Sequence, residues 1–237
     1  MNIPKISVII PAYNEEKYLG RCIRSLLEQS LNNQEYEIII INDASSDNTT
    51  QVLSHYSDSI LLLENEKNIG LPASLNKGIL ESKGQFVVRV DADDYVHSEY
   101  LHILSIHLQL NNDLDAVACD YDLVDQRQNL ITHVNCSDKP IGCGIMYRVE
   151  QLIDIGFYDA NFRVRDDEEL SIRFNKNYSI TALDYSKSSI EETFFPLDLT
   201  QEADVKTFAE KLPKCDALIF LVGLAHKKGQ GQELDEF

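Results

Sequence analysis

Short apolar runs alternate with amphipathic segments over residues 6–94 of the chain. The runs "ISVIIPAY", "YEIIIIND", "SILLLEN" and "QFVVRVDADD" begin with residues that are apolar on both faces of a strand. Strands of this kind that alternate with helices are typical of a parallel sheet covered on both faces. The pattern therefore predicts an α/β fold with a mostly parallel sheet.

Three helices are predicted between these strands. The first covers residues 14–30, with Asn14 as its N-cap and two glutamates in its first turn. The second is a short helix within residues 44–56, and the third begins near residue 69 and ends just before Gly84. One face of the first helix is apolar, and it comprises Tyr18, Leu19, Cys22, Ile23, Leu26 and Leu27.

Polar residues collect where three of the predicted strands end. The loop "AYNEE" follows the first strand, "NDASSD" the second and "DADD" the fourth. Ligands bind beyond the carboxyl ends of the strands in parallel α/β sheets. Asp and Asn also cap helices, which would account for any one of these loops. Three such loops at one edge of the sheet favour a binding site.

The last of these loops carries Asp91, Asp93 and Asp94 within four residues. Like charges this close repel, so either a turn leaves them in water or a cation binds them. A hard divalent cation takes carboxylate and diphosphate oxygens together. The residues alone leave both possibilities open.

The composition is that of a globular and strongly acidic protein, with 43% hydrophobic residues and a formal net charge of −18. This charge argues against a nucleic-acid partner, because binding a phosphate backbone needs a basic surface. No apolar stretch approaches the roughly 18–20 residues of a membrane span. The first residues do not resemble a signal peptide, and we expect a cytoplasmic protein without a transmembrane segment.

Taken together, the motifs resemble those of the family-2 glycosyltransferases of the GT-A fold. They are "SVIIPAYNEEKYLGRCIRSLLEQS", "EIIIINDASSDNT", "NIGLPASLNKGI", "FVVRVDADD" and "GIMYRVEQLIDIGFYDANFRVRDDEELSIRF", and they cover about residues 3–177. The resemblance implies a Rossmann-like sheet with helices on both faces. It also implies inverting transfer of a sugar from a nucleotide diphosphate donor, such as a UDP-sugar, to a hydroxyl of a surface polysaccharide or lipid-linked glycan.

The resemblance further implies which residues bind the donor. Pro11, Tyr13 and Glu15 would line the nucleotide pocket, and Asp43 would accept a hydrogen bond from the base. Asn76, within "NIGLPASLNKGI", would complete the donor-binding set.

The same resemblance assigns the metal ligands and the base. Asp91 would lie near the ribose and in the metal shell, and Asp93 would be a ligand of Mg²⁺ or Mn²⁺. Asp166 and Asp167 stand at the family's Glu-Asp pair, with the first acid shortened, and Asp167 would be the general base. The segment "RDDEEL" could instead be an acidic helix N-terminus, which the helix dipole favours.

Residues 178–237 depart from this family, and we expect a boundary after residue 177. The tail resembles part of the NAD-dependent epimerases among the extended short-chain dehydrogenases, with Asp184 and Asp198 at their nucleotide contacts. The Gly-rich turn that seats a pyrophosphate is absent, so we expect no NAD binding.

Two alternatives to an active glycosyltransferase stay open. The segment that closes on the diphosphate in the family is missing, so the chain could be a nucleotide-sugar-binding module with little turnover. A nucleotidyltransferase is the second alternative, although "PAYNEEKYLG" lacks the Gly-rich basic loop of that chemistry. If the acceptor is lipid-linked, the protein would act at the inner face of the membrane.

Overall fold

The structure is a computed structural model that describes residues 3–162 and 166–183, together with the backbone of residues 223–226. The described part contains helices and strands in alternation, as the sequence predicts. The helices are α1 (Leu19–Leu27), α2 (Thr49–Ser54), α3 (Leu71–Glu81), α4 (Tyr100–Leu110), α5 (Val149–Ile155) and α6 (Asp166–Phe174), with a 3₁₀ turn at Gly142–Gly144. The strands are β1 (Ile6–Ala12), β2 (Tyr36–Asn42), β3 (Leu61–Glu64), β4 (Phe86–Arg89), β5 (Tyr95–Val96), β6 (Ala116–Cys119), β7 (Tyr121–Val124), β8 (Leu130–Val134), β9 (Ile145–Arg148), β10 (Ile180–Leu183) and β11 (Gly223–His226).

The larger sheet has seven strands in the order β10-β6-β9-β4-β1-β2-β3. Its strands pair in parallel except at β9, which is antiparallel to both β4 and β6. The prediction of a mostly parallel α/β sheet is therefore confirmed. The register sets Ala12 opposite Asn42, so the loops after β1 and β2 begin side by side at the carboxyl edge.

Apolar layers cover both faces of this sheet. Alternate residues of the central strands belong to two separate buried clusters: Ile10 and Ile40 lie in one, and Ile9 and Ile41 in the other. This is why β1 and β2 read as continuous apolar runs and not as alternating ones. Helix α1 buries Leu19, Cys22, Ile23 and Leu26 of the predicted apolar face, whereas Leu27 is 40% exposed.

The predicted N-cap of the first helix is wrong. Helix α1 begins at Leu19, with Tyr18 in the cap position. Asn14 instead adopts a left-handed conformation with φ 59°, and its Oδ1 accepts a hydrogen bond from the N–H of Ser46 at 2.8 Å. The side chain that would cap a helix is used to join two loops of the candidate site.

Gly84 lies past the end of α3, as predicted, but for a different reason. The helix ends at Glu81, and Gly84 donates its N–H to Oγ of Ser7 at 2.9 Å. A Cβ at residue 84 would lie 2.6 Å from the backbone nitrogen of Ser7. Glycine is required here because β1 approaches the chain closely.

A second sheet of four strands has the order β5-β11-β7-β8. Strand β11 pairs in parallel with β7 and antiparallel with β5. Strand β10 follows the predicted boundary at residue 177 and extends the larger sheet beside β6. The two acids of the epimerase-like segment, Asp184 and Asp198, lie outside the described residues. That segment and the domain division stay predictions.

Within the described part of the chain, no helix has the length and apolar character that crossing a membrane requires.

Candidate functional site

Hydrogen bonds join the loops that follow β1 and β2 into one surface. The N–H of Asn14 donates to Oγ of Ser45 at 3.0 Å, and Oδ1 of Asn14 accepts from the N–H of Ser46. The N–H of Glu15 donates to Oγ1 of Thr49 at 2.8 Å. The loops "AYNEE" and "NDASSD" therefore hold each other in place at the carboxyl edge of the sheet.

Three predicted pocket residues lie along the first of these loops. Pro11 is half-buried near the end of β1, and Tyr13 is 47% exposed. Glu15 is buried. Pro11 and Tyr13 are thus accessible to a ligand, whereas the carboxyl group of Glu15 lies beneath the loop surface.

Asp43 is buried directly after β2 and is held by the chain on both carboxylate oxygens. Its Oδ1 accepts hydrogen bonds from the N–H of Ile69 at 2.9 Å and from Nδ2 of Asn65 at 2.8 Å. Its Oδ2 accepts from the N–H of Gly70 at 2.9 Å. A nucleotide base that bonds to Asp43 would have to share an oxygen with one of these donors.

Asn76, predicted to contact the donor, uses both ends of its amide on the backbone of Tyr158. Its Nδ2 donates to the carbonyl oxygen of Tyr158 at 2.8 Å, and its Oδ1 accepts from the N–H of Tyr158 at 3.0 Å. These bonds tie α3 to the segment that precedes α6. Both bonds are made to Tyr158 and not to the loops after β1 and β2, where Pro11, Tyr13 and Asp43 lie.

Arg89, the last residue of β4, brings three of the predicted acids together. Its Nε and Nη2 donate to the two oxygens of Asp91 at 2.6 and 3.2 Å, and its Nη1 donates to Oδ1 of Asp167 at 2.8 Å. Oδ2 of Asp166 lies 3.6 Å from Nη1. The Arg89 side chain is 9% exposed.

Arg89 was not among the residues predicted from the sequence. The signal was present, since a single charged residue interrupts the apolar strand "FVVRV". A charge buried within a sheet needs a partner, and Asp91, two residues later, is the nearest acid in sequence.

The charged form of Asp93 is disfavoured in this position. Burial and the neighbouring Asp91 raise the pKa of Asp93 to about 6. Arg21 of α1 fixes the loop by donating Nη2 to the carbonyl oxygen of Asp93 at 2.9 Å. A bound cation would offset the burial and the repulsion that raise this pKa.

A group of possible metal ligands lies beside the loop after β4, and it does not include Asp93. Carboxylates of Asp91 and Asp94 and the thiol of Cys143 offer atoms that all lie within 4.8 Å of one another. Asp94 is buried, and its Oδ2 accepts a hydrogen bond from Sγ of Cys143 at 3.5 Å. Carboxylate oxygens are the ligands that Mg²⁺ and Mn²⁺ prefer, so the two aspartates fit the predicted metal, whereas a thiol is preferred by softer metals.

Asp167, in the first turn of α6, is the candidate general base. Burial raises its pKa, and Arg89 opposes this effect. The N–H of Gly142 donates a hydrogen bond to the Asp167 carboxyl group. A raised pKa strengthens a carboxylate as a base, whereas the hydrogen bonds orient it.

Comparison with known proteins finds similarity to glycosyltransferases in both sequence and fold. Residues 7–170 match the sequence model of the family described as "Glycosyl transferase family 2". An uncharacterized glycosyltransferase of Rickettsia prowazekii is 30% identical over 195 residues, which cover 75% of this chain and 60% of that protein.

Poly(ribitol-phosphate) β-N-acetylglucosaminyltransferase TarS of Staphylococcus aureus is similar in sequence and in structure. It is 37% identical over 100 residues, which cover 41% of this chain and 18% of that protein. The crystal structure of TarS 1–349 in complex with UDP aligns with a TM-score of 0.65 at 23% identity, over 77% of this chain and 58% of that one.

The mannosyltransferase PcManGT of Pyrobaculum calidifontis, solved with GDP-Man and Mn²⁺, aligns with a TM-score of 0.63 at 19% identity. The alignment covers 76% of this chain and 54% of that one. Such likeness in fold confirms the predicted GT-A-like α/β architecture. The chain spans 60% of the length of the Rickettsia relative and less of the other two proteins.

Proposed function

The chain belongs to glycosyl transferase family 2, and on that premise we propose that it transfers a sugar from a nucleotide diphosphate donor to an acceptor hydroxyl. The observation that carries this proposal is the Arg89 cluster. One guanidinium binds Asp91, in the loop after β4, and Asp167, the candidate base on α6. A donor site and an acceptor base are therefore neighbours at the carboxyl edge of the sheet.

The proposed chemistry assigns each group a task. The loops after β1 and β2 bind the nucleotide through Pro11, Tyr13 and Asp43, and they hold the donor against the sheet edge. Asp167 takes the proton from the acceptor hydroxyl as the new glycosidic bond forms. The nucleotide diphosphate leaves from the opposite side of the anomeric carbon, and the transfer inverts its configuration.

A divalent cation would be held by Asp93 and Asp91, in the loop after β4. When bound, Mg²⁺ or Mn²⁺ neutralises negative charge on the departing diphosphate. This neutralisation matters in an acidic chain, because its net charge of −18 would otherwise repel the anionic donor. Asp93 is the ligand we weight most, because Asp91 already has both oxygens on Arg89.

The donor we propose is a UDP-sugar and the acceptor a surface polysaccharide or lipid-linked glycan. TarS supports this proposal by its complex with UDP and by its name as a poly(ribitol-phosphate) glycosyltransferase. PcManGT, bound to GDP-Man and Mn²⁺, supports a metal-dependent site but shows that the fold also takes a guanine nucleotide. A test of donors must therefore include both.

A thermal-shift screen of UDP- and GDP-sugars with Mn²⁺ tests donor binding. A ligand at about 100 times its dissociation constant adds roughly 2.7 kcal/mol to the free energy of unfolding, which shifts the melting temperature measurably. Hydrolysis and transfer assays then follow with the donor found. Binding without hydrolysis or transfer would favour a nucleotide-sugar-binding module, and no binding of any nucleotide-sugar would contradict the proposal.

The variant Asp167→Asn tests the base. We expect donor affinity to stay within a few-fold and transfer to fall by roughly 10²–10⁴, the usual contribution of general-base catalysis. Asp113→Asn makes the same chemical change at an exposed position and should leave both quantities unchanged. Equal losses of binding and transfer in Asp167→Asn would indicate a structural carboxylate.

A further inference from the structure

We infer that Arg89 is a positioning residue that holds the candidate base Asp167 at a fixed distance from Asp91, the acid in the loop after β4. This inference rests on the proposed function, because it assigns a role within the same site. Donor loading and proton removal would both depend on one guanidinium, because it fixes two carboxylates from different parts of the chain.

The geometry of the guanidinium supports this role. Arg89 donates Nε and Nη2 to the two oxygens of Asp91 in a bidentate arrangement, and it donates Nη1 to Asp167. Arginine alone offers donors in such a fixed planar fork, so one side chain can orient two carboxylates at once. A lysine at residue 89 would supply the charge at one point without the fork.

The position of Arg89 in the fold makes it a rigid reference. It ends β4, which lies between β1 and β9 in the larger sheet. Asp91 lies in the loop after β4, and Asp167 lies in the first turn of α6. Arg89 is therefore the link through which the central sheet sets the distance between a loop and a helix.

Charge and burial explain why the link matters. The Arg89 and Asp166 side chains are 9% and 10% exposed, and those of Asp91 and Asp167 are 32% and 36% exposed. Without the guanidinium, three carboxylates, of which Asp166 is buried, would lie close together and repel one another. Asp167 would then turn toward water, away from the acceptor.

A double-mutant cycle with Arg89→Met and Asp167→Asn tests the inference. If Arg89 acts through Asp167, Arg89→Met should lower kcat about 10²-fold in the wild-type chain but by less than about threefold in the Asp167→Asn chain. Arg89→Lys should retain an intermediate kcat, and it serves as the second variant if Arg89→Met fails to fold. Equal losses of kcat in the two backgrounds would overturn the inference.

Arg148 provides a matched control. It is also a buried arginine, but its guanidinium donates to the backbone carbonyls of Leu108 and Leu114 and, among the described residues, to none of the site carboxylates. Arg148→Met should lower stability and leave kcat per folded molecule unchanged. A kcat loss in Arg148→Met equal to that in Arg89→Met would show that any buried arginine has this effect, and it would overturn the inference.

A measurement on unfolding separates this inference from the proposed function. The same cycle, measured by urea denaturation without any donor, should show a coupling between Arg89 and Asp167 of at least about threefold in the folding equilibrium constant. If the wild-type chain transfers no sugar, the proposed function fails, whereas this coupling still reports the contact. Absence of coupling would overturn the inference even in an active enzyme.

Discussion

Gly142 lies directly against the carboxyl group of Asp167. A Cβ at residue 142 would be 2.3 Å from Oδ1 of Asp167 and 2.6 Å from its Oδ2. The same glycine donates its N–H to this carboxyl group. The 3₁₀ turn at Gly142–Gly144 therefore forms one wall of the position that the candidate base occupies.

We predict that Gly142→Ala displaces the Asp167 carboxylate and lowers transfer more than it lowers donor affinity. The new methyl group cannot fit without a shift of this side chain, and a misplaced base loses much of its roughly 10²–10⁴-fold contribution. The measurement is kcat and donor dissociation constant for the variant.

Gly144→Ala is the control for this prediction. It lies in the same turn, but its Cβ would meet the carbonyl oxygen of Cys119 at 3.3 Å, and none of its three nearest atoms belongs to Asp167. We expect a small loss of stability and an unchanged kcat. Similar kcat losses in both variants would show that the turn as a whole, and not the contact with Asp167, controls the rate.

Asp93→Ala should abolish the Mn²⁺ dependence of donor binding while the fold survives. Asp93 lies in the loop after β4, and removing its carboxylate removes a proposed metal ligand without opening the core. The measurement is the donor dissociation constant with and without Mn²⁺. Asp58→Ala removes the same charge from an exposed turn and should keep the full Mn²⁺ effect. Unchanged Mn²⁺-dependent affinity in Asp93→Ala would contradict the metal assignment.

Strands β1 to β4 of the larger sheet could be predicted because their signal is local. Strands β1, β2 and β4 are apolar on both faces, and the chain reverses direction between them through segments with helical spacing. Their parallel pairing then follows, and with it the meeting of the loops after β1 and β2. The motif "DADD" could be assigned to that edge for the same reason.

The rest depends on contacts between residues that are distant in sequence. Asn14 has the residue type of an N-cap, but Ser46 of a neighbouring loop offers its amide a different partner. In the local sequence Arg89 only interrupts an apolar strand, because its partner Asp167 lies 78 residues later in the chain and reaches it through α6. Strand β11 joins β5 and β7 across about a hundred residues of chain, and no local pattern specifies such a pairing.

Ala44 adopts a left-handed backbone with φ 60° directly after Asp43. This conformation costs a non-glycine residue about 1–2 kcal/mol, part of which Ala44→Gly would recover, since glycine also loses more entropy on folding. We predict that Ala44→Gly raises the free energy of unfolding by about 0.5–1 kcal/mol. The urea midpoint should rise with an unchanged slope.

Gln128, with φ 65° between β7 and β8, allows a comparison outside the candidate site. Gln128→Gly should give a gain of similar size, because the backbone strain has the same origin. If Ala44→Gly destabilises the chain while Gln128→Gly stabilises it, the methyl group of Ala44 makes a contact that outweighs the strain.

His133 on β8 should make the second sheet more stable at low pH. Its Nδ1 lies 2.7 Å from Oδ1 of Asp122, and its Nε2 lies 3.3 Å from Oδ2 of Asp120. The hydrogen bond with Asp122 is the largest influence and raises the pKa of His133, which burial partly opposes and Asp120 reinforces. A group whose pKa is raised in the folded state stabilises the fold below its unfolded pKa of about 6.5, and it loses that effect as pH rises through the folded value.

We therefore predict that His133→Gln lowers the free energy of unfolding at pH 5.5 and has a diminishing effect as pH rises to 8.5. The imidazole is 49% exposed, so the difference should be that of a surface ion pair, about 0.2–1 kcal/mol. Urea denaturation of both chains across this pH range measures it. His55→Gln is the control, because exposed His55 contacts the carbonyl oxygen of Gln51 and, within the part of the chain that the structure describes, no carboxylate. A pH dependence in His55→Gln as large as that in His133→Gln would show that the two carboxylates are not its cause. A difference for His133→Gln that grows with pH would mean that the folded chain binds the neutral imidazole instead.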